Sequence, residues 1–292
     1  MSETFFITGA AGNVGSHTAA ALVEQGKTVI AGIRPGSLSG CTRKNTAGIE
    51  YRFFDFTRPE TWESALAGTD KIFLMRPPQI ANIKRDMYPF LVFLKQKPVS
   101  HVVFMSVQDA EKRSIIPHAK IEKYCRELEL PYTFIRPSFF MQNLTTTHLP
   151  EIREENMLFI PAGDGRANFI DARDIGEAAA RILSQEGHVG QAYHLTGMES
   201  FSYSEAAALL TAELEKKIVY RSPRPLPFIR YHLRRGRKLG MILVMLALYT
   251  STRFKGLGKI SPDLENILVR KPRNLKDFIR GHRSLFFQDQ QQ

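Results

Sequence analysis

The chain has 292 residues, 43% of them apolar and 24% charged, a balance ordinary for a globular protein and without a low-complexity tract or internal repeat. That length allows one large domain, or a large one with a smaller lobe, and two cysteines (Cys41 and Cys125, neither in a C-x-x-C pair) exclude a disulfide framework. The net charge of +11 is uneven: residues 221–283 hold 16 Lys or Arg against three acids, so that segment carries +13 and the remainder is near −2.

In chain order, short apolar runs at 5–8, 28–33, 50–54, 71–75, 101–105 and 132–135 predict strands, with helical segments between them at 14–24, 60–67, 80–95 and 118–127. Strands alternating with helices of this length predict a parallel sheet covered on both faces, and right-handed crossovers make it doubly wound. After Pro137 the pattern loosens. Residues 138–156 read as an irregular loop and helix, 157–161 as a strand, 162–165 as a turn and 168–171 as a short strand. Asp174 is expected to cap a helix running to about 184. A strand at 192–195 and an amphipathic helix at 202–216 follow, and from Arg221 on the chain is basic, Pro-punctuated and mostly helical. The expected division is 1–136 with 166–196 as the sheet domain, and 137–165 with 197–292 as a smaller, mostly helical C-terminal lobe.

The first strand runs directly into Gly9-Ala10-Ala11-Gly12-Asn13-Val14-Gly15 and then a helix. In such a turn Gly9 permits the tight bend, Gly12 lets the backbone approach a pyrophosphate, and Gly15 lets helix and strand pack closely. The free N–H groups of the helix start face the phosphates. Standing after a strand, before a helix and inside a repeated β/α pattern, the motif predicts a dinucleotide-binding α/β domain of Rossmann type. An NAD-specific site would place an acid at the end of the second strand. Here Arg34 stands there, followed by Ser37, and a guanidinium suits the 2′-phosphate of NADP(H). Asp55 and Phe56, after the third strand, suit the adenine edge. Met75, Arg76 and Pro77, after the fourth, pass the cofactor's middle.

Taken together, TGAAGNVG (8–15), Arg34, HAKIEKY (118–124), YTFIRPSFFMQN (132–143), AGDGRANFIDARDIGEAAA (162–180) and RKPRNLKDFIRGH (270–282) resemble the NmrA-like group of atypical short-chain dehydrogenases/reductases. That group holds NADPH quinone reductases, triphenylmethane reductases and ergot-alkaloid dehydrogenases, together with NADP-sensing regulators that bind a partner protein. The resemblance spans almost the whole chain. It implies an NADPH-dependent oxidoreductase that passes hydride to a planar or conjugated small molecule, such as a quinone or an iminium compound. The alternative it implies is a non-catalytic NADP(H)-sensing regulator with an acidic protein partner at the basic C-terminal segment.

Standard short-chain dehydrogenases use a serine and a Y-x-x-x-K pair. Ser106 matches the serine, whereas His118 and Glu122 stand where the Tyr and Lys would be, four residues apart on one helix face. His118 is therefore the expected proton donor near neutral pH, with Ser106 beside it. Glu122 is expected to bond the nicotinamide ribose or to orient His118. By the same resemblance Phe139 passes the nicotinamide, and Phe139, Phe140 and Met141 line an apolar substrate pocket.

The remaining histidines form no metal-ligand spacing, so no metal is expected. The basic segment lacks aromatic-interleaved recognition patterns, and no nucleic acid is expected. The apolar run 241–249 is about half the roughly 20 residues of a spanning helix. A first stretch without a basic region and apolar signal core leads to the expectation of a cytoplasmic monomer or homodimer.

Overall fold

A computed structural model describes residues 3–34, 48–255 and 259–287; Ser37 and Cys41, named above, lie outside them. Through residue 137 the elements are β1 (Thr4–Thr8), α1 (Asn13–Glu24), β2 (Thr28–Ile33), β3 (Ile49–Phe53), α2 (Trp62–Leu66), β4 (Lys71–Met75), α3 (Ile83–Asp86), α4 (Tyr88–Lys95), β5 (His101–Met105), α5 (Pro117–Glu127) and β6 (Tyr132–Pro137). There follow β7 (Phe139–Phe140), α6 (Leu149–Glu155), β8 (Met157–Phe159), β9 (Arg166–Ile170), α7 (Ala172–Ser184), β10 (Ala192–Leu195) and β11 (Ser200–Ser202). The last are α8 (Tyr203–Leu214), β12 (Val219–Arg221), α9 (Pro225–Arg234), α10 (Leu239–Lys255), α11 (Asp263–Leu268) and α12 (Leu275–Gly281).

The chain forms two compact units: unit 1 is Met1–Pro137, Ala172–Leu195 and Asp263–Arg270, and unit 2 is Ser138–Asp171, Thr196–Pro262 and Lys271–Gln292. In unit 1 seven strands pair in the order β10-β6-β5-β4-β1-β2-β3, every pair parallel. Phe5, Phe6 and Ile7 of β1 are wholly buried, as expected for a strand covered on both faces. From β1 the chain winds outward through β2 and β3, then returns to place β4 on the other side of β1. That reversal opens a crevice beyond the carboxyl ends of β1 and β4. Helices α1 and α7 cross closely because Gly176 has no side chain; a β-carbon there would lie 2.5 Å from Cβ of His17.

Unit 2 contains a three-stranded sheet, β11-β9-β7, a two-stranded parallel sheet, β12-β8, and helices α6, α8, α9, α10 and α12. Its core gathers Phe139, Met141, Leu158, Phe169, Tyr203, Phe228, Tyr249 and Phe278. A buried acid, Glu151 of α6, also lies inside this unit, with His232 of α9 3.7 Å and Arg237 3.5 Å from its Oε1. Neither oxygen of Glu151 and neither ring nitrogen of His232 has a hydrogen-bond partner among the described residues. Burial raises the pKa of Glu151 and lowers that of His232 to about 4.

Several details depart from the sequence reading. The helix expected at 80–95 is two, because Pro89 in the first turn of α4 lacks the N–H that would continue α3. β10 joins β6 as a seventh strand, and β7, β11 and β12 are short pairings with no alternation long enough to announce them. Asp174 stands inside the first turn of α7 and not ahead of it. It lies buried there, and Arg270 Nη2 donates to its carboxylate at 2.7 Å. The expected boundaries also shift: 166–171 stays in unit 2, since β9 pairs with β7 and β11, and 263–270 joins unit 1, since α11 packs on α7 and β10.

Candidate dinucleotide site

The site begins with how β1 ends. Thr8 Oγ1 donates to the carbonyl of Phe73 at 3.1 Å and accepts from the amide of Met75 at 2.7 Å, which ties the ends of β1 and β4 together. Gly9 follows at φ +64°, in the left-handed region open to glycine, and the amide of Gly12 donates to the Gly9 carbonyl at 2.8 Å to close the turn. A β-carbon on Gly15 would sit 2.3 Å from the Gly9 oxygen, and one on Gly12 would be 3.3 Å from it. Gly12 caps α1 without any side-chain hydrogen bond, so no side chain competes for the N–H groups of the first turn.

This turn opens onto a cavity of about 560 Å³ lined by Gly9, Gly12, Arg34, Asp55, Phe56, Met75 and Pro77, all expected from the sequence. Asp55 is set by a local turn in which Thr57 donates to Oδ1 through both N and Oγ1, each at 2.8 Å. Phe56 is held edge-on by Phe54 and Phe90. Also on the wall, and not anticipated, are Thr8, Ala11, Gly32, Phe54, Thr57, Ile80, Arg85 and Asp86. Gly32 carried a readable signal, a glycine inside a strand: a β-carbon there would come 2.6 Å from the Phe6 ring. Arg85 and Asp86 had none, because they reach the wall only through the placement of α3.

Ala10, Asn13, Val14 and Gly15 shape the turn and helix start without lining the cavity, and Val14 is buried. Arg76 departs from its expected place. Its Nη1 donates to the carbonyls of Pro77, Pro78 and Ile80, so it braces the loop that borders the cavity.

The residues expected to be catalytic stand outside the lining of that cavity. Ser106 and Glu122 are each only 1% exposed, and Ser106 Oγ donates to Glu122 Oε1 at 2.6 Å. Arg136 donates to the same carboxylate through Nε at 3.0 Å and Nη2 at 2.7 Å, and Arg126 adds a contact at 3.2 Å. Despite burial, these donors hold the Glu122 carboxyl below the ordinary range. Ser106 and Glu122 are thus joined in a buried ion cluster with Arg136 and Arg126, and neither lines the dinucleotide cavity. His118 stands half-buried in the first turn of α5, stacked on Phe104 with ring centroids 6.2 Å apart. Burial, with the charge of Arg76, lowers its pKa to about 4. With that pKa the imidazole is neutral near pH 7. In unit 2, Phe139 and Met141 are core residues, Phe139 stacking on Tyr249, and only Phe140 of the three is half-exposed. Among the described residues no group of His, Cys, Asp or Glu is placed to hold a metal, and no helix is long and apolar enough to cross a membrane.

Comparison with known proteins adds three findings. A family model described as the NmrA-like family matches residues 1–275. Among curated relatives, the NAD(P)H azoreductase of Xenophilus azovorans is 30% identical over 73% of this chain and 75% of its own length. The prestalk A differentiation protein A of Dictyostelium discoideum is 25% identical over 95% and 91%. Among solved structures, the Citrobacter sp. triphenylmethane reductase complexed with NADP(H) superposes with a TM-score of 0.81 at 23% identity, covering 96% of this chain and 99% of that one.

Proposed function

The chain belongs to the NmrA-like family, and on that premise we propose that it is an NADPH-dependent reductase of a planar or conjugated small molecule, such as a quinone or an iminium compound. One observation carries the reading. A glycine turn with no room for a β-carbon at Gly15 opens into the same cavity as Arg34, which stands where an NAD site has its acid.

The N–H groups at the start of α1 hold the pyrophosphate, and Arg34 pairs its planar fork with the 2′-phosphate. Asp55 and Phe56 border the adenosine half, while Met75 and Pro77 border the centre. When bound, the reduced nicotinamide supplies the hydride. The protein's contribution is position: bringing the acceptor into register is worth more than any acid the site offers. A cationic acceptor becomes neutral on gaining hydride and needs no proton. The stabilised anion formed from a quinone can take its proton from solvent, in keeping with a neutral His118. The names of the azo and triphenylmethane relatives point to conjugated acceptors of this kind.

Calorimetry with NADPH and NADH tests the cofactor. Arg34→Glu is expected to weaken NADPH by about tenfold or more, the value of one charge-assisted bond, while leaving NADH nearly unchanged. Equal effects on both would refute the 2′-phosphate role. For the reaction, stopped-flow loss of nicotinamide absorbance is followed against quinones, iminium compounds and cationic dyes. Acceptor-dependent oxidation is expected, with no titration near pH 6.5 because His118 stays neutral there. Oxidation no faster than background with every acceptor would favour the cofactor-sensing alternative.

A further inference from the structure

The basic segment of unit 2 has an organisation that the reductase reading does not use. From 221 to 259 the sequence holds ten Lys or Arg and no acid. Helices α9 and α10 of this segment are joined by four residues, with Gly236 at φ +75° in the link. On α9, Phe228 and His232 face inward, and the opposite stripe is Leu226, Arg230, Leu233 and Arg234, all exposed. On α10, Ile242, Met245, Tyr249 and Thr252 are buried, whereas Met241, Val244 and Leu248, at i, i+3 and i+7, are exposed, Val244 by 63%.

Helix α10 is thus apolar on both sides while only one side is covered by its own unit. A helix apolar all round is ordinarily buried on all sides. Along α9 the exposed Leu226 and Leu233 alternate with Arg230 and Arg234, whereas residues 239–252 of α10 carry no charge. None of Arg224, Arg230, Arg234 and Lys238 has a carboxylate in ion-pair range among the described residues. Between them, a cleft of about 500 Å³ is lined by Phe159, Leu226, Pro227, Arg230, Tyr231, Arg234 and Arg235, the last ion-paired with Glu154 and Glu155.

We propose that the α9–α10 segment docks on an anionic phospholipid surface, its aliphatic side chains entering the acyl boundary and its unpaired arginines taking headgroup phosphates. Fluid lipid accepts isolated Leu, Met and Val side chains without matched pockets, and long cationic side chains reach the phosphates while their stems stay in the apolar layer. An acidic protein partner would meet the charges but would leave the aliphatic stripe of α10 needing a complementary apolar face. Protein interfaces carry few charges at their centre, whereas on α9 Leu226 and Leu233 stand beside Arg230 and Arg234.

The full chain is sedimented with vesicles of phosphatidylcholine alone and of phosphatidylcholine containing phosphatidylglycerol. Binding to the anionic vesicles only is expected, weakening as salt rises. Arg230→Glu with Arg234→Glu should lower vesicle binding more than about tenfold. A separate Met241→Gln, Val244→Gln, Leu248→Gln variant should lower it at fixed charge. Unchanged melting and unchanged NADPH affinity verify that both variants are folded. Failure of the wild-type chain to bind anionic vesicles overturns the proposal. So does binding to polyglutamate with none to vesicles, which marks an acidic-polypeptide surface. Concentration-dependent dimerisation abolished by the α10 variant, without vesicle binding, likewise overturns it in favour of a second copy.

Discussion

Each unit of this protein buries a glutamate, and the two are treated in opposite ways. Glu122 of unit 1 receives Ser106, two donors of Arg136 and a contact from Arg126, so that burial is offset and the charged form is favoured. Glu151 of unit 2 is equally buried, yet its oxygens lack hydrogen-bond partners among the described residues, and its pKa is raised. Burial alone therefore says little about a carboxylate. The donors aimed at it decide whether it stabilises the fold as an anion or disfavours it. Two glycines differ as sharply: Gly15 of unit 1 is hemmed by the Gly9 carbonyl, while Gly240 of unit 2 has nothing within 4 Å.

The comparison is broken most directly at Arg136. Arg136→Leu leaves Glu122 buried without its fork and is expected to cost about 3–5 kcal/mol in urea unfolding. Adding Glu122→Leu should restore much of that loss. A single-variant cost below about 1 kcal/mol would show that Glu122 is no more supported than Glu151. Next in size is Gly15→Ala. Its methyl meets backbone, so about 1–3 kcal/mol and most of the NADPH affinity should be lost, as read by melting and calorimetry.

A smaller effect, with a distinctive pH dependence, separates the two acids. Glu122 has a folded pKa below its ordinary value of 4.5, so its stabilisation is present above that value and is lost as pH falls through the lowered one. Glu151 has a folded pKa above 4.5, so its contribution is full below that value and is lost as pH rises through the raised one. Glu151→Gln should thus lie within about 1 kcal/mol of wild type at neutral pH and gain on it from acid toward neutral, whereas Glu122→Gln should lose ground over the same range. Parallel curves for the two variants would erase the distinction. The smallest effect belongs to Gly240→Ala, which should raise stability by at most about 1 kcal/mol, since it adds helix preference without a clash.

Much of unit 1 could be read along the chain because its signals are local. A turn of glycines, an arginine one residue past a strand, and apolar runs spaced by helices all act through neighbours within a few positions. So Gly9, Gly12, Arg34, Asp55 and Phe56 could be assigned to one cavity wall before any fold was known. Where two distant segments meet, that reach ended. The spacing of His118 and Glu122 on α5 is visible in the sequence, but Arg136 arrives from β6, and its guanidinium ties Glu122 into a buried ion cluster. Likewise Phe139 and Met141 became core because Tyr249 and its neighbours close over them from residues more than 100 positions away. The amino-acid order by itself determined the strand sequence, the phosphate turn and the basic excess, since propensity, glycine freedom and net charge are properties of short stretches. Only the tertiary structure decided which polar groups are paired, neutral or open to ligand, because desolvation and hydrogen bonding depend on what lies across space.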